Sequence, residues 1–510
     1  MPRISAEPKT ANGVSETPIT TVVPAEIPPS HSKQWRSSSI PLAVILLLGL
    51  VLRLLYLGEK SLWLDEISSV TFARLDWHNF WNLMLARESN MVFYYLLLRG
   101  WIHLGESEFV LRLLSVIFGV ATIGAIYVFA KDFFGRQTAL LAALLLAVNG
   151  AHVRASQWIR SYSLLLLLIV LSSILLARGL QRPTRRIWIL YRLVTVLAVY
   201  SHFMVGLLIA AQWISLLFLP RRYIPRKQVF TAIAAVTLFS LPAAIFVVSR
   251  NVGQLNWVAN PRPIELYHTA IFLAAGGGKA VGNIFLVICV IGCALSTQEF
   301  RRIWSASPHS FLSWRYAFLF TCLFFPVLFS FLLSYWKPVF FYRYLIVSLP
   351  AFLALVARGF DLMPRRWLRA LLPVAVGLSL AAVFISYRPE EDWKGACGYL
   401  LQNTRPGDAT IFNGQGRLPL EYYGRRLYGE KGGPALIFAG YPAAGSAGAG
   451  YGRLYPRVWF VYFPDFVSDA NIRTLQSNLA SIYSLRTERK FKAIKVTLYE
   501  RPKSPSDVGP

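Results

Sequence analysis

Acidic side chains are scarce between residues 40 and 387, and most of them fall in one short stretch. They are Glu59, Asp65, Glu66, Asp76, Glu88, Glu106, Glu108, Asp132, Glu265, Glu299 and Asp361. Asp65 and Glu66 are adjacent, at the end of Ser61-Leu-Trp-Leu-Asp65-Glu66. A carboxylate partly shielded from water beside Trp63 would be a stronger base than one in bulk solvent. The same pair could instead cap the following helix, and spacing alone favours neither interpretation.

Several basic residues lie at the ends of long apolar runs that are predicted to cross a membrane. These ends are opposite those where most Lys and Arg residues cluster. The basic residues are Arg154, Arg160, Lys279, Lys337 and Arg343. Any one of them could reach the lipid head groups with a long side chain. Together they resemble a cationic wall that faces an anionic ligand at the membrane surface.

Three of the candidate binding residues have distinctive neighbours. Arg343 lies in Phe340-Phe-Tyr-Arg343-Tyr344, where aromatic rings should pack against its stem and no acidic partner is expected nearby. Gly276-Gly-Gly-Lys279 opens an apolar run, and free N–H groups at a helix start suit a phosphate. His202 occupies the turn Tyr200-Ser-His202-Phe, where a histidine is more often a packed interface residue than a ligand.

Composition sets the class of protein. The 510 residues are 55% hydrophobic and only 15% charged, and the formal net charge is +27. These values exclude a disordered chain, a collagen and, with four cysteines, a disulfide scaffold. The Lys/Arg clusters recur on every second loop between apolar runs, which is the positive-inside pattern of a membrane protein and disfavours nucleic acid as a partner.

Apolar runs predict a mostly α, polytopic bundle of about 11 spans. They cover 40–57, 109–130, 137–150, 161–178, 188–201, 203–219, 228–248, 280–297, 315–335, 343–357 and 367–387. Residues 1–37 are predicted to be a disordered cytoplasmic tail, and 38–387 the membrane module. An odd number of spans, with the basic loops inside, places the C-terminus outside the cytoplasmic membrane.

Two segments between the first spans are predicted to lie along the membrane surface. From Ile67, the apolar positions Val70, Trp77, Trp81 and Met84 recur at helical spacing, with polar residues on the other face. A more apolar segment over 93–104 should lie beside it. The carboxylates of this loop would then be held at the depth of the lipid head groups.

Residues 388–510 change in character and predict a small external α/β domain. Helical patterns cover 390–403 and 468–482, and alternating strands cover 457–462 and 492–499. A Gly/Ala-rich stretch over 443–452 precedes no clear helix, so a loop is favoured over a dinucleotide site.

These residues resemble a known family, the polytopic C-type-fold (GT-C) glycosyltransferases that use a polyprenyl-phosphate sugar donor. The relatives are protein O-mannosyltransferases, lipid A aminoarabinose transferases and bacterial lipopolysaccharide-core transferases. The matching segments are Ser61–Glu66, Phe93–Trp101 with its Tyr94-Tyr95 pair, Ser156–Tyr162, Tyr200–Phe203, Arg343–Pro350 and Glu391–Lys394. The chain departs from the family where Asn90-Met-Val replaces His-Pro-Pro and Trp158 replaces a glutamate.

The resemblance implies inverting transfer of a sugar from a polyprenyl-phosphate donor to a hydroxyl acceptor on a glycan, lipid or protein. It implies Asp65 as the catalytic base, and Glu66, Tyr94, Arg160, Tyr162, His202, Lys279, Arg343 and Tyr344 as substrate-binding residues.

Other readings stay open beside this one. No cofactor is expected, although Asp65 and Glu66 could hold a divalent cation. A transporter or flippase of a lipid-linked anion would also use such arginines, but it should show internal repeats and charges at the bilayer midplane. A non-catalytic assembly protein would leave Asp65 and Glu66 unexplained.

Overall fold

A computed structural model of the chain describes residues 39–249, 258–412, 416–428, 437–439, 455–464 and 469–502. The predicted tail over 1–37 and the Gly/Ala-rich stretch over 443–452 lie outside the described residues. The domain boundaries predicted at 38 and 388 stay predictions.

Helices dominate the part of the chain before residue 387. They are α1 (Ile40–Leu54), α2 (Leu64–Arg74), α3 (Trp77–Ala86), α4 (Val92–Trp101), α5 (Glu108–Phe134), α6 (Arg136–Ala147), α7 (Gly150–Ser156), α8 (Tyr162–Gln181), α9 (Arg185–Val199), α10 (Val205–Ser215), α11 (Arg226–Ser249), α12 (Ile264–Ala275), α13 (Lys279–Ala306), α14 (Phe311–Leu333), α15 (Leu349–Leu362) and α16 (Arg365–Ser386). The predicted helical membrane fold is confirmed.

Each predicted apolar run coincides with a helix, but the number of spans is a separate matter. Among the described residues, 7 helices are long and apolar enough to cross a bilayer, or up to 8 if the bent pair α6 and α7 counts as one span. Three shorter apolar helical segments begin at Ile40, Val205 and Ile264. The figure of 11 spans therefore stays a prediction, and α12 was not predicted at all.

Helices α6 and α7 meet at a bend of 62°, and contacts with α12 stabilise this bend. The Asn149 side chain accepts a hydrogen bond from the His152 N–H and donates to the carbonyls of Leu273 and Ala274 at 3.0 and 2.8 Å. Gly276, with φ of +77°, lies so close to Ala151 that a Cβ atom would meet its nitrogen at 2.1 Å. These contacts hold α12 against the broken segment.

The first loop differs from prediction in one respect. A single surface helix was predicted from Ile67 to Met84, but the structure has two, α2 and α3. The chain is extended at Leu75, and the Asp76 carboxylate accepts from the Asn79 N–H at 3.0 Å, which starts a new helix. Helix α3 exposes Trp77 and Trp81, at 56% and 42%, as a helix lying in a membrane surface would.

The C-terminal part forms the predicted small α/β unit. Its helices are α17 (Trp393–Asn403), α18 (Arg417–Tyr428) and α19 (Asp469–Ala480), and its strands are β1 (Ala409–Phe412), β2 (Ile437–Ala439), β3 (Arg457–Tyr462), β4 (Ser484–Phe491) and β5 (Ile494–Glu500). The sheet order is β2-β1-β3-β5-β4, with β1 parallel to β2 and β3, and β5 antiparallel to β3 and β4.

This unit packs directly on the loop that carries Asp65. The Tyr423 hydroxyl accepts from the Leu62 N–H at 2.8 Å, and the Ser61 hydroxyl accepts from the Lys394 N–H at 3.0 Å. The Glu391 carboxylate accepts from the Leu64 N–H at 2.9 Å. Contacts from α18 and from the start of α17 therefore hold residues 61–64 in place.

Candidate active site

Glu66 is buried and fully engaged. Its two oxygens accept from Arg112 Nε and Nη2 at 2.9 and 2.6 Å, and also from the N–H groups of Ile159 and Trp63 at 3.0 and 3.3 Å. Arg112 donates further to the carbonyls of Leu57, Lys60 and Ser61. The pair ties the first loop to α5, so Glu66 holds the loop and has no oxygen left for a substrate.

Asp65, the next residue, is in a different environment. Its side chain is 44% exposed, and its nearest charged partner is Arg160, whose Nη2 lies 3.8 Å from Oδ2. Arg160 Nη1 also approaches the Asp65 carbonyl and the Ser69 hydroxyl, each at 3.4 Å. The Asp65 carboxylate is thus accessible at the start of α2 and has one cation, Arg160, beside it.

Aromatic rings pack against one another close to Arg160. The His202 ring lies between Tyr162 and Tyr344, with centroids at 5.7 and 5.0 Å. Burial, followed by the nearby Arg160 charge, lowers the pKa of His202 to about 3, so the ring is neutral. Its Nδ1 accepts from the Met204 N–H at 3.3 Å, which leaves the proton on Nε2 as a donor.

The turn that carries His202 is attached to the segment around Asn90 and Phe93. The Asn90 side chain accepts from the Phe203 N–H at 2.9 Å, and the Phe93 N–H donates to the Tyr200 carbonyl at 3.0 Å. The departure from the family pattern at Asn90 therefore has a structural use, because this side chain positions the His202 turn.

The two tyrosines of the Tyr94-Tyr95 pair differ in what they face. Tyr94, a predicted binding residue, is fully buried, and its hydroxyl bonds Ser115 at 3.0 Å inside the helix packing. Tyr95 is also fully buried, but its hydroxyl lies close to Ser69 and near the charges of Arg160 and Asp65. The structure therefore brings Tyr95, rather than Tyr94, to the Asp65 cluster.

Arg343 is enclosed by aromatic rings, as the sequence predicts. Its guanidinium lies 5.3 Å from the ring centroid of Trp63, 5.0 Å from that of Trp158 and 5.7 Å from that of Phe341. Trp158 thus occupies the glutamate position of the family and packs on the cation. The expectation of no acidic partner is wrong, because Glu390 lies 3.8 Å from Arg343 Nη2.

Arg154, Lys279 and Lys337 are the remaining predicted cations, and Lys337 Nζ donates to the Val247 carbonyl at 3.1 Å. Arg154 Nη1 lies 3.8 Å from the other Glu390 oxygen. Lys279 begins α13 directly after three glycines with positive φ, and its side chain lies outside what the structure describes.

The chemistry of the carboxylates does not suit a cation at Asp65 and Glu66. Four N–H donors already occupy the Glu66 oxygens, so the two side chains cannot converge on a metal ion. Across the described ranges, no three His, Cys, Asp or Glu side chains gather as metal ligands.

Sequence reasoning missed Arg112, Tyr95, Lys60 and Glu390. Arg112 lies within a predicted span, and only its burial opposite Glu66 reveals the ion pair. Glu390 and Glu391 had a signal, since Glu391-Asp-Trp-Lys394 was matched to the family, but their contacts depend on how the C-terminal unit packs on the rest of the chain.

The fold is that of membrane glycosyltransferases with the GT-C fold. Residues 90–246 match the family described as Dolichyl-phosphate-mannose-protein mannosyltransferase. Comparison with curated protein sequences finds no match. The resemblance stated from the sequence, and with it the class of enzyme, is confirmed.

Solved structures show the same fold at low identity. ArnT from Cupriavidus metallidurans in the apo state is 13% identical with a TM-score of 0.54, over 93% of this chain and 100% of that chain. ArnT from the same organism bound to undecaprenyl phosphate is 12% identical with a TM-score of 0.53, over the same shares. The Archaeoglobus fulgidus oligosaccharyltransferase in complex with Zn and sulfate is 12% identical with a TM-score of 0.51, over 82% of this chain and 67% of that chain.

Proposed function

We propose that this protein transfers a sugar from a polyprenyl-phosphate donor to an acceptor hydroxyl, with inversion, at the outer face of the cytoplasmic membrane. The observation that carries the proposal is the pairing of an exposed carboxylate, Asp65, with the largely buried cation Arg160. ArnT, which shares the fold, has been solved with undecaprenyl phosphate.

Asp65 acts as the base. Its carboxylate accepts the proton of the acceptor hydroxyl, whose oxygen attacks the anomeric carbon from the face opposite the phosphate. The C–O bond to the phosphate breaks as the new glycosidic bond forms, so the configuration inverts. The contacts of Glu66 keep Asp65 at the first turn of α2, which limits its motion during the attack.

The leaving phosphate needs charge stabilisation more than a proton. Arg343 supplies a cation whose orientation is held by Trp63 and Trp158. Arg160 supplies a second cation beside Asp65, and the Nε2–H of neutral His202 supplies a hydrogen-bond donor close by. Tyr162 and Tyr344 hold the His202 ring from both sides.

A place for the lipid tail supports the same donor. An apolar cavity of about 670 Å³ lies between α12, α13, α14 and α15, lined by residues such as Leu273, Val290 and Phe324. Phe272, beside Leu273, packs on Tyr342 at 5.1 Å, and the Tyr342 hydroxyl accepts from Arg343 Nε at 3.3 Å. A chain in this cavity would have its phosphate end near Arg343.

A transporter of a lipid-linked anion is the second candidate. It would also place arginines at a head-group surface, and it would need no base. The engagement of Glu66 in holding the loop, with Asp65 left exposed, favours chemistry at Asp65 over simple anion passage.

The experiment is reconstitution of the full chain in liposomes with a panel of polyprenyl-phosphate sugars. We expect release of polyprenyl phosphate and a product of inverted anomeric configuration by NMR. Movement of intact donor across the bilayer without release would support the transporter and overturn the enzyme. Mass spectrometry of surface glycans from a deletion strain would then identify the sugar and the acceptor.

A further inference from the structure

Glu390 occupies a position between two arginines. Its carboxylate oxygens lie 3.8 Å from Arg154 Nη1 and 3.8 Å from Arg343 Nη2, one oxygen toward each. Arg154 comes from α7 in the broken segment and Arg343 from the segment before α15. Two cations from distant parts of the chain therefore converge on one anion, which sits at the junction of the membrane module and the external unit.

These contacts are loose compared with the structural ion pairs of the same molecule. The Arg112–Glu66 and Arg358–Glu299 pairs both close to 2.6 Å. The Arg154 Nε atom is buried without a hydrogen-bond partner. A buried N–H without an acceptor is costly, so this guanidinium is not fully satisfied by Glu390.

The surroundings carry an excess of positive charge. Lys60 lines the same pocket as Arg154 and Glu390, and its Nζ donates to Gln157 at 2.8 Å. Burial, together with the charges of Arg112 and Arg154, lowers the pKa of Lys60 to about 7. Glu66 of the same pocket is already paired with Arg112, so an added anion would meet the charges of Arg154 and Arg343 against the one charge of Glu390.

We propose that Arg154 and Arg343 form an exchangeable anion site, in which Glu390 holds the place that a phosphoryl group takes when it binds. A phosphate has more oxygens than a carboxylate and could serve both guanidinium groups and the free Arg154 N–H at once. The proposal rests on the proposed function for its ligand, the phosphate of a polyprenyl phosphate, but the exchange itself is a property of these three side chains.

Displacement of Glu390 has a consequence for Asp65. Glu391, the next residue, accepts from the Leu64 N–H, which directly precedes Asp65. A shift of residues 390–391 on phosphate binding would thus reach the helix start that carries the base. Donor binding and the position of the external unit are linked through two consecutive glutamates.

The test measures binding by the purified full chain of two probes, inorganic phosphate and undecaprenyl phosphate. Glu390→Gln removes the internal competitor but keeps its size, and should tighten binding of both probes by about two- to fivefold, the range for a partly exposed ion pair. Arg154→Gln should weaken both by about 10- to 100-fold, the range for a charge-assisted hydrogen bond.

Matched controls come from the β4–β5 hairpin of the external unit. Glu488 is 34% exposed in an ion pair with Lys495, close to the 31% of Glu390, and Arg486 pairs with Glu500. Glu488→Gln and Arg486→Gln should leave both affinities unchanged. Thermal unfolding of each variant shows that it is folded. If Arg154→Gln is unstable, Glu390→Gln alone still tests whether Glu390 competes with phosphate.

The outcomes separate this inference from the proposed function. Weaker or unchanged phosphate binding by Glu390→Gln overturns the exchange site, even if undecaprenyl phosphate binds well. Tighter binding of inorganic phosphate by Glu390→Gln, without binding of undecaprenyl phosphate by any variant, supports the exchange site and overturns the donor. Binding of neither probe by any variant overturns both.

Discussion

Glu66 and Arg112 form a doubly hydrogen-bonded ion pair in which the two side chains are only 0% and 3% exposed. Asp65, one residue earlier, is 44% exposed. Adjacent carboxylates of the same sequence motif therefore have different uses. Glu66 anchors the loop to α5, and this anchoring leaves Asp65 at a fixed position facing the outside.

Replacement of Asp65 by asparagine should remove the base and keep the fold. Asn keeps the size and hydrogen bonding of the side chain, and general base catalysis is typically worth about 10²–10⁴-fold in rate. We expect sugar transfer to fall by that factor, measured as release of polyprenyl phosphate. Glu106→Gln, which alters an exposed carboxylate of the same loop, is the control. Near wild-type transfer by Asp65→Asn would mean that Asp65 is not the base.

Replacement of Glu66 by glutamine should act mainly on stability. It leaves the Arg112 charge buried without a partner, which typically costs about 3–5 kcal/mol. The thermal midpoint in detergent should drop, whereas Glu421→Gln in an exposed pair should change stability by about 0–1 kcal/mol. Transfer per folded molecule should fall less than for Asp65→Asn. An unchanged midpoint would show that the pair does not anchor the loop.

Arg343 should contribute to donor binding through both its charge and its planar shape. Arg343→Ala should weaken use of the donor, and Arg343→Lys should recover only part of the loss because an ammonium cannot stack between Trp63 and Trp158 as a guanidinium does. Kinetics over a donor concentration series measure the effect. Arg178→Ala, in an exposed pair with Asp132, serves as the comparison. If the rate depended on donor concentration equally in all variants, Arg343 would interact only with lipid head groups and not with the donor.

Glu391 should make stability depend on pH. Burial raises its pKa from 4.5 to about 7, although the Leu64 and Trp393 N–H groups partly oppose this. Because the folded pKa lies above the unfolded one, the contribution of Glu391 is fully present below pH 4.5 and is lost as the pH rises toward 7. The loss should be on the order of 3 kcal/mol.

Glu391→Gln keeps an acceptor for the two N–H groups and cannot ionise. The measurement is the free energy of unfolding between pH 4.5 and 7 for the wild type and this variant. We expect the stability difference in favour of Gln to grow as the pH rises. A constant difference across that range would show that Glu391 does not titrate there.

The orientation in the membrane is also open to test. A reporter that works only in the cytoplasm should be silent when fused after Pro510. It should be active when inserted between α8 and α9, because Arg178, Arg182, Arg185 and Arg186 cluster around that loop. Activity after Pro510 would reverse the side of the membrane assigned to the site.

Much of the architecture follows from the sequence alone. Long apolar runs between Lys/Arg clusters leave few options other than a helical bundle, because unpaired backbone groups cannot stay in lipid. The strand Arg457–Tyr462 was also predicted, and the helix predicted over 390–403 is Trp393–Asn403 in the structure, because the periodicity of both is local. The sequence likewise placed Asp65, Arg160 and Arg343 among the candidates, because charges beside apolar runs are rare.

Tertiary structure decided which of these groups meet. Nothing in the spacing of Asp65 and Glu66 tells which one is exposed, because that depends on Arg112, 46 residues further on. Tyr94 points toward Ser115 of α5 because of how α4 packs on α5. The spacing of residues along the sequence does not reveal this packing. Glu390 meets Arg154 and Arg343 only once three distant segments converge, and contacts of such long range leave no signature in a single sequence.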